Sequence, residues 1–366
     1  MNNSTMTASG NNTLLDQWNS EFVRVLRSDT LMLVLYIVIG VIGNSLVITV
    51  YTLRFRDKSE DRFFIPYLAV IDLIACLVCS SFGISVNQYA VTFTNDAVCK
   101  AFWVFSLFTT GTSIFTLLLI AVHRYQKICR PFQPQMTHRR KQLGLVVCIV
   151  VAMFTSLPAL VFYGTSPVSH PKYNITGTRC ANIRGPWTKA VAISYKAAIL
   201  LIGLGILVSL VVLYCLIGRA VFRRIDFNKK RQEQTSIPNA PSSMTSRDTI
   251  EYISEDRNKL SPRTTTKTKK IPGYRLSIMF MLITGVFVVC FIPKLAMMVF
   301  ESRQEQFWFT LDISGYKVFR FLYTMYIINS IANPIIYGFH DRKFRQELAS
   351  LCCNRCNCIS LAYGRR

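Results

Sequence analysis

Apolar residues along this chain come in long blocks. A helix needs about 20 such residues to cross the hydrocarbon core of a bilayer. Seven blocks reach that length: Thr30–Leu53, Phe63–Asn87, Ala97–Cys129, Leu143–Tyr163, Thr188–Phe222, Leu276–Phe300 and Ser314–Phe339. An amphipathic helix of a soluble protein would interrupt them with polar positions at helical period. The pattern predicts an all-α membrane protein, a seven-transmembrane helix bundle over residues 30–339. Residues 1–29 are polar and predict an extracellular, glycosylated tail without a cleaved signal peptide. Residues 225–270, rich in Ser, Thr, Lys and Arg, predict a largely disordered cytoplasmic loop. Residues 340–351 predict a short C-terminal amphipathic surface helix, and 352–366 a Cys-rich cytoplasmic tail.

Charge sets the orientation. The chain carries 42 Lys and Arg against 19 Asp and Glu, a formal net charge of +23. Of those 42 basic residues, 30 fall where an outside N-terminus would put the cell interior. The positive-inside rule demands that bias of a multi-spanning protein. Anionic inner-leaflet lipid accounts for it without nucleic acid. Asn2, Asn3 and Asn11 in the tail, and Asn174 between blocks four and five, open Asn-x-Ser/Thr acceptors, which matter only outside the cell. The expected location is the plasma membrane, multi-pass, with the N-terminus extracellular.

Cysteine use adds two expectations. Most of the twelve cysteines lie within the blocks, where a buried thiol is packing. Cys99 and Cys180 fall at the outer side, where oxidation persists. They predict a disulfide tying the loop between blocks four and five to the top of the third. Cys352, Cys353, Cys356 and Cys358 follow the amphipathic helix. There Cys352 and Cys353 are the palmitoylation candidates. A metal cluster, the rival reading, lacks a second ligand group at zinc spacing.

Polar residues inside a span are costly and mark function. Block one holds Gly43-Asn44, and block two holds Leu68-Ala69-Val70-Ile71-Asp72. Block three runs from Cys99 to His123-Arg124-Tyr125, and block five carries Tyr214. Block six has Phe287, then Cys290-Phe291-Ile292-Pro293. Block seven has Asn329-Ser330-Ile331-Ala332-Asn333-Pro334-Ile335-Ile336-Tyr337, with Phe344 beyond it. In that order and on those spans, the motifs resemble the rhodopsin-like (class A) G-protein-coupled receptors, over about residues 30–351. The stretch from His123 to Pro131 resembles neuropeptide receptors of the cholecystokinin, orexin and galanin kind.

The resemblance implies specific roles. Asp72, Ser113, Asn329 and Asn333 would face one interior cavity, where the carboxylate needs a cation or a proton, so sodium is a candidate occupant. No other cofactor and no structural metal is expected. The activation switch would comprise His123, Arg124, Tyr125, Tyr214, Phe287, Phe291, Pro293, Pro334 and Tyr337. Pro293 and Pro334 each remove a backbone donor and make pivots. Partners would be an extracellular ligand, a heterotrimeric G-protein, an arrestin, a receptor kinase and membrane lipid.

Departures from the family pattern matter too. The acid that usually precedes the span-three arginine is His123 here, and the inner end of span six has Gly273 and bases. Both common carboxylate partners of Arg124 are missing, which predicts either a weakened resting lock or Arg124 held by Tyr214 or backbone carbonyls. Span four lacks the usual tryptophan, span five has Ile206 for the usual proline, and Phe291 stands where tryptophan is common.

Two ligand classes are argued down by the same comparison. Amine receptors carry an aspartate where this chain has Ser106, and opsins a lysine where it has Ile327. The candidate ligand pocket is Ser106, Thr109, Lys196, Lys294, Met298 and Tyr323. The outer side holds 12 Lys and Arg against 7 Asp and Glu, which would steer an anionic ligand or acidic peptide inward; the competing reading is interfacial snorkelling. A neuropeptide is the favoured ligand, with an anionic lipid or small metabolite as the alternative. A transporter or channel would show repeats or broken helices, which the sequence lacks. An intramembrane enzyme would need a catalytic set, and Asp72 is the only acid deep in any block.

Overall fold

The computed structural model describes residues 2–54, 60–170, 174–183, 188–235, 273–303 and 307–355. The elements run α1 (Asn2–Val25), α2 (Arg27–Thr49), α3 (Phe64–Gln88), α4 (Asp96–Cys129), α5 (His138–Ser156) and α6 (Ala159–Phe162). There follow β1 (Tyr163–Ser169), β2 (Thr176–Asn182), α7 (Thr188–Thr235), α8 (Gly273–Arg303), α9 (Phe307–Thr310), α10 (Ile313–Thr324), α11 (Ile328–His340) and α12 (Arg342–Arg355).

Among the described residues, six helices are long and apolar enough to cross a membrane. The seventh crossing is α10 and α11, joined by a 3₁₀ turn at Met325–Ile327. The break keeps either piece from spanning alone, and together they cover block seven. One face of α7 turns large apolar side chains outward: Leu201 is 68% exposed and Val208 60%, while Leu210 and Ile217 on its other face are buried. The interior instead holds Asn44, Asp72, Ser113, Asn329, Ser330 and Asn333. An apolar outside around a partly polar inside is what lipid as solvent selects.

The helices start and join through named side chains. Asn95 caps α4 by accepting from the Val98 amide at 3.0 Å, and Asp312 caps α10 by accepting from the Gly315 amide at 3.1 Å. Asn44 donates to the Ser330 carbonyl at 3.1 Å and so ties α2 to α11. A Cβ on Gly43 would lie 2.9 Å from Pro334, so only glycine admits that approach. Asp341 accepts from Tyr51 (2.7 Å) and from Arg62 (2.9 and 3.1 Å), and it receives the Lys343 amide at the start of α12. Phe344 stacks on Tyr51 at 5.7 Å. These contacts seat α12 against the inner end of the bundle.

Two expectations need correction. The polar tail is helical: α1 places Leu14, Leu15, Trp18 and Phe22 on one side, where they pack on Val91, Val168 and Ile175. Their spacing is amphipathic, but the polar residues between them read as a tail. The fifth helix does not stop at Phe222 but runs to Thr235. Its extension is rich in Arg, Lys, Gln and Glu, which are good helix formers, and Asp226 pairs with Lys230 one turn on at 3.1 Å. Residues 236–270 of the expected loop lie outside the described residues, as do Cys356 and Cys358.

Candidate functional site

The outer end carries an open cavity. Helix ends alone would leave it wide. The β1–β2 hairpin crosses it, pairing Tyr163 with Asn182 through Ser169 with Thr176. The Cys99–Cys180 disulfide fixes β2 to the top of α4, and Asp96 accepts from the Thr165 amide at 2.8 Å to hold β1 there too. Phe22 from α1 closes one side, in ring contact with Tyr316 at 5.5 Å.

Of the expected pocket residues, Ser106, Lys196, Lys294 and Tyr323 line this cavity. Thr109 does not: its hydroxyl turns back to the Phe105 carbonyl at 2.8 Å. Met298 packs against the bundle core instead. The cavity walls carry four cations, Arg179, Lys196, Lys294 and Arg320, and one carboxylate, Glu301. Glu301 accepts from the Trp308 indole at 2.7 Å. The Lys294 ammonium sits 3.1 Å from the centroid of the Tyr323 ring and 5.0 Å from that of Tyr326. A desolvated cation–π contact stabilises by about 2 kcal/mol, whereas removing an ammonium from water costs several. The rings therefore offset only part of that cost.

Arg320 is differently placed. It donates to Asn87 at 3.1 Å and lies 3.7 Å from Asp29. Asn87 donates to Asp29 at 2.8 Å, and Thr324 donates to the same carboxylate at 3.3 Å. All four are buried, and they lock the outer ends of α2, α3 and α10. Asp29 and Asn87 were not expected: a charge at the edge of an apolar block reads as an interfacial anchor.

Below the cavity, Asp72 is fully buried. It accepts from Ser113 (3.3 Å), Ser330 (2.8 Å) and Asn333 (2.6 Å). Ser113, Asn329 and Ser330 line a small second cavity that shares Cys79, Tyr326 and Ile327 with the outer one. Asn329 is buried beside this group but makes no bond to Asp72. Ser330 is the member the sequence reading passed over, although it stands within the block-seven motif. Phe287 and Phe291 stack at 5.0 Å beneath the pocket on α8, the helix that Pro293 interrupts. Pro334 lies within α11.

At the inner end, Arg124 is 1% exposed, and Phe280 of α8 lies over its guanidinium at 4.8 Å. It is not without a carboxylate. Asp61, in the turn before α3, lies 3.6 Å from the guanidinium, and its carbonyl accepts from Arg124 as well. Lys127 shares the same carboxylate. The two common partner positions hold no acid, as expected; the turn before α3 supplies one instead, together with a backbone carbonyl of the kind expected to hold Arg124. Burial would raise the Asp61 carboxyl, but the Lys127 hydrogen bond and the Arg124 charge hold it below the ordinary carboxylate range. His123 is buried with its ring 5.6 Å from that of Phe64. Tyr214 and Tyr337 are buried nearby, Tyr337 edge-on to Tyr51 at 6.2 Å. Tyr125 lies under Arg130 at 5.8 Å.

An outer cavity, a buried carboxylate at mid-bundle and a covered arginine at the opposite end thus lie along one helix bundle. The sequence model of the 7 transmembrane receptor (rhodopsin family) matches residues 43–337. The chain belongs to that family. Its members are signalling receptors held in the membrane by several spans. Among curated relatives, the chain is 25% identical to the cholecystokinin receptor of Xenopus laevis, covering 86% of this chain and 75% of that one. It is 25% identical to the cholecystokinin receptor type A of Homo sapiens over 85% and 77% of the two chains. The gastrin/cholecystokinin type B receptor of Mus musculus gives 25% over 89% and 80%.

The residues expected to be modified lie at the hairpin turn, on α1 and on α12. Asn174 is exposed at the hairpin turn. Asn2, Asn3 and Asn11 lie on α1, and Cys352 and Cys353 on α12.

Proposed function

We propose that this receptor is gated by a peptide at its outer cavity and passes binding to a heterotrimeric G-protein at the inner ends of its helices. The observation that carries this reading is the wide, hairpin-roofed cavity, with α1 forming one wall. A tail helix and a lid hairpin give a chain-like ligand contacts outside the helices as well as between them. Binding would shift the population from the closed inner end to one in which α8 moves off Arg124. An arrestin and a receptor kinase would use the same inner face, with inner-leaflet lipid along α12. The N-terminus would lie outside, glycosylated at Asn2, Asn3, Asn11 and Asn174, and α12 would be palmitoylated at Cys352 and Cys353. The basic inner loops support that orientation.

Sodium is the expected ion at Asp72. Asp72, Ser113, Ser330 and the Asn329 side-chain carbonyl offer an all-oxygen donor set, which suits a hard cation. Bound there, it would neutralise the buried carboxylate.

The test is a peptide-library screen on transfected cells, reading calcium and cyclic AMP together. A peptide hit that fails on untransfected cells supports the reading. Silence to all peptides, with a response to a lipid or metabolite, overturns it.

A further inference from the structure

The cavity contains a cation that makes no ion pair among the described residues. Among the described residues, Lys294 has no carboxylate within ion-pair distance, and its recorded partners are the rings of Tyr323 and Tyr326. Arg320, the other deep cation on this wall, is already held by Asp29 and Asn87. Glu301, the single acid lining the cavity among the described residues, is engaged by Trp308. The two tyrosine faces hold the ammonium in place, and the Ser106 and Tyr326 hydroxyls, 3.4 Å apart, line the same cavity as neutral hydrogen-bonding groups. Rings orient a cation but do not neutralise it, and a half-buried charge without an anion is a site prepared for one.

We infer that Lys294 is the anchor for an anionic group of the ligand, a carboxylate or its sulfate or phosphate equivalent, clamped between the ammonium and the Ser106–Tyr326 hydroxyl pair. This rests on the receptor reading above but does not require the ligand to be a peptide. The positive excess of the cavity wall draws the anion in, and Lys294 fixes where it stops. Arg320 serves the fold rather than the ligand, because its donors are committed to the α2–α3 lock.

The experiment uses the full chain in lipid nanodiscs and reads the thermal midpoint. One probe is a pool of C-terminally amidated hexapeptides, each with one Asp or Glu. Its control is the same pool with Asn or Gln at those positions. A second pair is oleate against oleyl alcohol. The acidic member of at least one pair is expected to raise the midpoint and its neutral control not to. Lys294→Gln is expected to cost at least about tenfold in the concentration needed for half the shift, and Lys294→Arg to retain it. Oleate alone acting through Lys294 would sustain the anion site while sinking the peptide reading. Neutral peptides shifting the midpoint as well as acidic ones would do the reverse. The inference is overturned if acidic and neutral probes act equally, if Lys294→Gln responds like wild type, or if no probe acts at millimolar concentration. Should Lys294→Gln fail to fold, Ser106→Ala removes one hydroxyl of the clamp, and an unchanged preference for the acidic probes in that variant would overturn the inference.

Discussion

Replacing Asp61 by Asn should raise ligand-free signalling. The substitution keeps the backbone carbonyl that Arg124 also uses, so it isolates the charge. Unit charges 3.6 Å apart attract by about 4–5 kcal/mol at an effective dielectric of about 20. That is an upper figure here. The Asp61 side chain is 26% exposed and divides its charge between Arg124 and Lys127. The net loss should be nearer the about 1.5–3 kcal/mol typical of a hydrogen bond to a charged group. At about 1.4 kcal/mol per decade, the balance between closed and open inner ends moves about 10- to 100-fold. A minor state populated at about 0.1–10% would rise, at the smaller factor, to about 1–50%. The assay is basal calcium and cyclic AMP in transfected cells, normalised to receptor number at the surface. His123→Asp places a second carboxylate next to Arg124 and should lower the output of the Asp61→Asn receptor. Equal basal output of Asp61→Asn and wild type at matched surface density would refute the reasoning.

Arg320→Met should lower the thermal midpoint by the equivalent of about 3–5 kcal/mol, since it strands the buried Asp29 charge. Adding Asp29→Asn should recover part of the loss, and additive losses would count against the pairing. Gly43→Val should cost about 1–3 kcal/mol by pushing α11 away at Pro334, measured by thermal unfolding; a neutral result would mean the helices separate freely. For Asp341, burial would raise the carboxyl, but bonds from Arg62 and Tyr51 hold it below its ordinary 3.8. Asp61 is depressed in the same way. Both groups thus stabilise the fold above pH about 4 and lose that effect as pH falls through their lowered values. The midpoint contribution of each, read from Asp61→Asn and Asp341→Asn against wild type, should be flat from pH 8 to 5 and shrink below about pH 4.

Much of this was legible along the chain, for identifiable reasons. Lipid imposes one composition on every span, so each block announces its own helix. The motif residues Asp72, Arg124, Pro293 and Tyr337 could be placed because the ordered motifs around them resemble those of the rhodopsin-like family. The tail helix was missed because Trp18 and Phe22 lie among polar neighbours and find their partners far along the chain, in the hairpin, Val91 and Tyr316. The Asp61 pair was missed for a related reason. Asp61 is one of several charges in a short turn, and nothing local marks it as the one facing Arg124.

The sequence by itself determined seven crossings and the polar positions within them, because hydrophobic length acts residue by residue. Only the tertiary structure decided which charges meet. Asp29 with Arg320 joins residues 291 apart, and Asp341 with Arg62 joins residues 279 apart. Such pairing depends on how helices rotate and pack, a property of the whole bundle that no single segment carries. That is why the chain alone left Arg124 without an acid, while the fold supplies Asp61.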